Sequence, residues 1–275
     1  MEESIPVGIG GVNLFLQAQT PYVARYLREK FEAFKFSGSP EATITVVTDP
    51  RLEAKPPEYL EVSKCGPRLQ VESSLSRGAL DLRTKKGSLV LASQGIENGL
   101  MNFLRNCFQW LLLDRGGFLL HSAGLLDERE AFLFFGASGS GKTTLAGQPS
   151  EAQVLNDEYV AVTVADGIAT AWGTPFWGDM QDGKNTNARG KLKALLLLQH
   201  GERTYLEGLP PARALAELLH CIPVVTGQRS EADRILDLAL RVLGSVPCYS
   251  MDFRPDVPYW REIHESCDHI SPKER

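Results

Sequence analysis

One stretch constrains this chain more than any other: Ala131–Phe135 running into Gly136-Ala137-Ser138-Gly139-Ser140-Gly141-Lys142-Thr143. Five consecutive apolar residues read as a buried strand. Gly136, Gly139 and Gly141 let the backbone curl through conformations that strain any residue with a Cβ. Thr144, Leu145 and Ala146 then begin a helix. A curled segment between a strand and a helix start turns successive N–H groups inward and makes a concavity for anions. The eight residues match G-x-x-x-x-G-K-[ST], the Walker A phosphate loop. That pattern assigns Gly136 to Thr144 to cradling phosphates, the Lys142 ammonium to the β- and γ-phosphates, and the Thr143 hydroxyl to Mg²⁺. The expectation is a site for a nucleoside triphosphate with Mg²⁺. A glycine-rich strand-to-helix turn without a ligand is the bland alternative, but both flanks supply the context that the motif requires.

The helix after the loop is expected to be short, because Pro149 ends it within about two turns. Val154-Leu155-Asn156-Asp157-Glu158 then brings two adjacent carboxylates only 15 residues after Lys142. At the end of a short strand they can face a metal and a terminal phosphate, although acidic pairs in solvated loops are also common. The Asn-Lys-x-Asp element of guanine-specific GTPases is absent. Thr226-Gly227-Gln228 is a faint echo of a transporter-ATPase signature, with no strand ending in Asp-Glu behind it.

The rest of the chain sets limits. Its 275 residues suffice for one large domain or two ordinary ones, and 43% hydrophobic content allows a core without disulfides. A net charge of −5 argues against nucleic acid as a partner, since phosphate-neutralising proteins carry basic faces. Cys65, Cys107, Cys221, Cys248 and Cys267 are scattered and odd in number, as in reduced, cytoplasmic proteins. The N-terminus lacks the basic and apolar regions of a signal peptide. The apolar stretch at 103–120 is interrupted by Arg105, Asn106, Asp114 and Arg115, so no membrane span is expected.

Periodicity organises the remainder as α/β, or α+β overall. A small N-terminal α+β domain is expected over residues 1–95, a connecting helix over 96–116, a catalytic domain over 117–262 and a polar, fraying tail over 263–275. In the first, Gly11–Gln17 and Ala42–Val47 read as strands. Thr20 caps a helix with Pro21 at its first position. Arg51–Pro67 reads as a loop, and Ala79–Thr84 and Ser88–Ser93 as strands about a Lys85-Lys86-Gly87 turn. Ile96, Leu100, Phe103, Leu104, Cys107, Phe108, Leu111 and Leu112 make one helical face, stopped at Gly116-Gly117. Farther on, Phe118–His121, Ala131–Phe135, Gln153–Leu155, Tyr159–Val164, Ala169–Trp172, Leu192–Gln199 and Cys248–Phe253 read as strands. Helices are expected over Pro211–Cys221 and from a Ser230 cap to Leu243.

At this point the chain resembles a known family. Leu120-His121-Ser122-Ala123-Gly124, the Walker A loop, a very short helix and Asn156-Asp157-Glu158 look like the catalytic domain of HPr kinase/phosphorylase, whose core is shared with phosphoenolpyruvate carboxykinase. Gly173-Thr174-Pro175-Phe176-Trp177-Gly178 resembles a segment of HPr-kinase-related proteins. The resemblance covers roughly residue 117 to the second C-terminal helix. It implies phosphoryl transfer to a hydroxyl, with a serine of a protein or peptide as acceptor. Asp157 would be the general base and Glu158 would hold Mg²⁺, or the two would exchange roles. His121 would orient a carboxylate or touch phosphate; a histidine satisfied under the sheet is the alternative. Arg189, in Asn185–Lys191, is the candidate cation for the transferred group, against the reading of a surface arginine. The family carries Asp-Asp where this chain has Asp157-Glu158, and residues 1–95 do not resemble the N-terminal domain of the bifunctional enzyme, which sets HPr aside as acceptor. Two other readings stay open: a non-catalytic nucleotide-binding regulator or scaffold, and a kinase of a small metabolite such as free serine. Self-association is left open. Trp172, Phe176 and Trp177 are read as packing rather than base stacking. His264–His269 fits no zinc spacing.

Overall fold

Alternation of apolar and polar residues builds the first sheet in the computed structural model, which describes residues 3–178, 180 and 186–269. Strands β1 (Glu3–Ile9) and β2 (Val12–Ala18) form a hairpin about Gly10-Gly11, whose φ values of 59° and 81° suit glycine in a tight turn. The Thr20 hydroxyl accepts the Val23 N–H at 3.3 Å and caps α1 (Pro21–Lys30). Then come β3 (Ala42–Asp49), β4 (Leu60–Cys65), β5 (Arg68–Ser73), β6 (Ser76–Asp81), β7 (Lys86–Ala92) and α2 (Ile96–Asp114). The sheet order is β1-β2-β3-β7-β6-β5-β4. Helix α2 lies against β5, β6 and β7 and buries Leu100, Phe103, Leu104, Cys107, Phe108 and Leu111. Phe103 fills the space over Gly78, where a Cβ would come within 2.3 Å of its ring.

The second sheet carries the glycine-rich loop. Its elements are β8 (Gly117–Asp127), β9 (Glu130–Phe135), α3 (Lys142–Ala146), β10 (Gln153–Asn156), β11 (Tyr159–Ala165), β12 (Ile168–Trp172), β13 (Arg189–His200), β14 (Tyr205–Gly208), α4 (Pro211–Cys221), α5 (Arg229–Leu243), β15 (Cys248–Phe253) and α6 (Trp260–His269). Strand order is β10-β8-β11-β12-β13-β15-β14, and β9 lies between β8, antiparallel, and β13, parallel. The loop therefore leaves β9 at the edge where β13 and β15 also end. Beneath it, Phe134, Leu145, Leu196, Leu198, Met251, Phe253, Tyr259 and Ile263 share one core.

Several expectations need correction. The chain divides into two units, Met1–Arg115 with Val224–Glu231 and Gly116–Pro223 with Ala232–Arg275. The helix read as a connector is thus part of the first unit, and 224–231 leaves the second. Arg51–Pro67 is not all loop: β4 lies in it, an edge strand with Leu60, Glu61, Ser63 and Cys65 exposed, so no buried face marks it. The β6–β7 turn falls at 82–85, where Asp81 accepts the N–H groups of Arg83 and Thr84. Helix α5 begins at Arg229, ahead of the expected Ser230 cap. β1, β5 and β14 were not expected.

The tail is the largest correction. Residues 260–269 form α6, and Tyr259, Ile263 and Cys267, spaced by four, are buried in the core beneath the loop. No described helix is long and apolar enough to cross a membrane. Ile263→Ala should cost about 2–5 kcal/mol in urea unfolding, the range for truncating a fully buried aliphatic side chain. An unchanged midpoint would mean that this segment frays.

Candidate functional site

The loop geometry follows from its glycines. Gly136, Gly139 and Gly141 have φ of 140°, 78° and 98°. A Cβ at Gly136 would lie 3.0 Å from the Leu198 carbonyl, and one at Gly141 would lie 3.4 Å from the Phe253 ring. Ala137, Ser138 and Gly139 are exposed at the apex, while Ser140 and Lys142 are buried. Helix α3 starts at Lys142 and closes at Gly147, two residues before Pro149. Its first N–H groups lack intrahelical acceptors. Thr144 is exposed on that first turn.

Lys142 turns back across the loop. Its Nζ donates to the carbonyls of Gly136 and Ala137, both at 3.0 Å. Burial lowers its pKa below the ordinary 10.5, and neighbouring Cys221 and Glu158 act in the opposite direction. The Cys221 thiol also points at the Gly136 carbonyl, 3.9 Å away. The Ser140 hydroxyl is buried with no hydrogen-bond partner among the described residues. A buried hydroxyl and a buried ammonium that has only carbonyls to bind are groups that an anion in the loop could engage.

The acidic pair sits at a break in one long strand. β10 and β11 both pair antiparallel with β8, Asn156 opposite Gly124 and Tyr159 opposite His121. Between them, the fully buried Asn156 side chain accepts the N–H groups of Glu158 and Tyr159, both at 2.7 Å. Its amide donates to the Thr174 carbonyl at 3.0 Å. The strand kinks, and Asp157 turns to the loop. Its carboxylate accepts the Thr143 hydroxyl at 3.3 Å, the Gly178 N–H at 2.9 Å and the Met180 N–H at 3.1 Å. Asp157 is 2% exposed, whereas Glu158 is half-buried. A Cβ at Gly178 would lie 3.2 Å from the Glu158 Cβ and 3.3 and 3.4 Å from the Asp157 and Glu158 carboxylate oxygens, so this position is tightly packed.

His121 is half-buried on the same edge. It stacks on Tyr159 with centroids 5.4 Å apart, and Ser122 next to it pairs with Phe135, the last residue before the loop. Lys142, Thr143, Asp157, Glu158 and His121 are thus brought together.

Arg189 is not. It opens β13 opposite Trp172, two residues before Lys191 pairs with Glu130. That is the far end of the six-residue strand β9 from the loop, about 20 Å away at 3.3 Å per residue. Its guanidinium lies 4.5 Å from the Trp172 ring centroid. Trp172 donates to Thr163, and Phe176 is buried, as packing residues. Asn185 and the side chain of His269 lie outside the described residues. His264 faces Asp127 at 3.2 Å, and no described cluster of three or more His, Cys, Asp or Glu is placed to hold a metal.

Sequence reasoning missed His200. Its Nε2 lies 2.8 Å from the Gly139 carbonyl, and because a carbonyl only accepts, this nitrogen carries the proton. Only long-range strand register brings it there, and no local pattern announces that.

No protein-family model and no curated protein matches the chain.

The Asn156 side chain generates a prediction. Asn156→Ala leaves two N–H groups without their acceptor, at about 1–3 kcal/mol for each buried group. Unfolding should show a loss on that scale, and amide exchange at Glu158 and Tyr159 should quicken. Unchanged exchange at both would show that the kink does not depend on this side chain.

Proposed function

We propose that this chain is a Mg²⁺-dependent ATP-binding phosphotransferase of the HPr-kinase-like group, acting on a hydroxyl, with a serine of a protein or peptide as acceptor. The observation that carries the reading is the 3.3 Å contact between Thr143 and Asp157, which joins a Walker A loop to an acidic pair. Bound ATP would supply the phosphoryl group, and a Mg²⁺ held at this site would offset the negative charge of the phosphates. The loop N–H groups and Lys142 would hold the phosphates, Lys142 exchanging its two carbonyl partners for phosphate oxygens. Thr143 and Asp157 are the residues suited to the metal, since a magnesium site needs only one or two protein oxygens beside phosphate and water.

The two carboxylates divide the work unequally in this reading. Asp157 already accepts three donors, which suits a fixed metal-side oxygen. Glu158 is more open and is the better proton acceptor. The acceptor oxygen would bond to the γ-phosphorus as its proton passes to Glu158. The bond to the β–γ bridging oxygen breaks, and its electron pair leaves with ADP. His121 would brace this end, and Arg189 has no part in the proposal.

With γ-labelled ATP and serine peptides, Glu158→Gln should reduce transfer by about 10²–10⁴-fold with ATP binding retained, the usual contribution of a positioned base. Full transfer by this variant would remove Glu158 from the chemistry. The buried Asp157, which accepts three hydrogen bonds, also suits a non-catalytic nucleotide-binding regulator, which would bind ATP and transfer label to no acceptor.

A pH dependence follows from Lys142. Triphosphate binding needs its ammonium, and burial lowers its pKa in the free protein below 10.5. Affinity should therefore be full at neutral pH and decline with rising pH before the ordinary lysine range, as read by calorimetric titration. Affinity constant to pH 10.5 would contradict this role.

A further inference from the structure

We infer that the nucleoside of the bound triphosphate lies over the β13–β14 crossover, with its base stacked on Tyr205 and Arg203. The inference rests on the triphosphate reading above and extends it to the other end of the ligand.

Strand order sets the direction. β8 and β13 flank β9 on opposite sides. The acidic pair belongs to the β8 side, because β10 and β11 both pair with β8. A triphosphate whose terminal phosphate faces Asp157 and Glu158 therefore runs its other end toward β13, then β15 and β14.

Groups along that path fit a nucleoside. His200 ends β13 and donates to the exposed loop apex at Gly139. The chain then crosses the end of β15: Gly201 N–H donates to the Phe253 carbonyl at 3.2 Å, and Arg254 donates to the Glu202 carbonyl at 3.3 Å. It enters β14 at Tyr205, paired with Asp252. From β13 to β14 is two strand spacings, about 10 Å, the scale of a nucleoside. Tyr205, on the edge strand β14, is 48% exposed. The exposed Arg203 guanidinium lies 5.2 Å from its ring centroid. The guanidinium lies over the tyrosine ring, and the outer face of such an exposed pair suits a purine base, which stacks on either group. Phe253 packs under Gly141 and ties this crossover to the loop itself.

The test titrates the full chain by calorimetry with Mg·ATP and with Mg·tripolyphosphate, which lacks the nucleoside. Replacing both residues, Arg203→Ala with Tyr205→Ala, should weaken ATP on the order of tenfold or more, the usual scale for losing base stacking, and leave tripolyphosphate unchanged. Tyr205→Phe, which keeps the ring, should bind ATP as the parent does. Equal weakening of both ligands, or unchanged ATP affinity in the double variant, overturns the base site and leaves the triphosphate reading standing. A parent chain that binds neither ligand overturns both. Unchanged thermal unfolding of the double variant separates lost binding from lost fold, and a large drop moves the comparison to Tyr205→Phe against Tyr205→Leu, where loss with Leu alone is expected and equal ATP affinity of the two overturns the site.

Discussion

One buried amide organises the candidate site. Without Asn156, β10 and β11 would read as a single strand along β8, with Asp157 and Glu158 at its middle. The Asn156 side chain takes the N–H groups of Glu158 and Tyr159 and so breaks the ladder at the acidic pair. Its other end holds the Thr174 carbonyl. That fixes the segment whose Gly178 and Met180 N–H groups cover Asp157. The carboxylate reaches Thr143 because its own backbone and its covering segment hang from the same side chain. Asn156, Asp157 and Thr174 are buried, so a bond lost at any of them would leave a polar group away from water.

The glycine-rich loop depends on a different support. β9 sits between β8 and β13, so its C-terminal end faces acidic groups on one side and His200 on the other. Below it, the Tyr259 ring meets Phe134 and Phe253 edge-on, at 6.1 and 6.0 Å. Its hydroxyl reaches the Leu145 carbonyl in α3 at 3.4 Å. A five-residue helix is too short to be stable by itself, and this core supplies what its length does not. The C-terminal helix is therefore part of the support of the loop.

Local structure was legible in the sequence where a pattern is completed within a few residues. The glycine-rich turn between β9 and α3, the Thr20 cap, the apolar face of α2 and the strand entering the loop were all of this kind. Edge strands were harder, because β4 has no buried face and Pro6 in β1 weakens a pattern that only an edge tolerates. In α6 the acidic and histidine residues mask three buried positions spaced by four. The site itself was partly legible. Asp157 and Glu158 are near Lys142 in sequence, and a short helix leaves them near in space. Arg189 and His200 open and close the same strand, and only register decides that His200 meets the loop while Arg189 packs on Trp172.

The central claim is that the loop and the acidic pair form one site in which Thr143 and Asp157 share a metal with a triphosphate. Calorimetric titration of ATP with and without Mg²⁺, in the parent chain and in Thr143→Ala, tests it most directly. The account predicts tighter binding with Mg²⁺ in the parent and loss of that metal dependence in the variant, with metal-free ATP affinity little changed. Equal metal dependence in both proteins would contradict it.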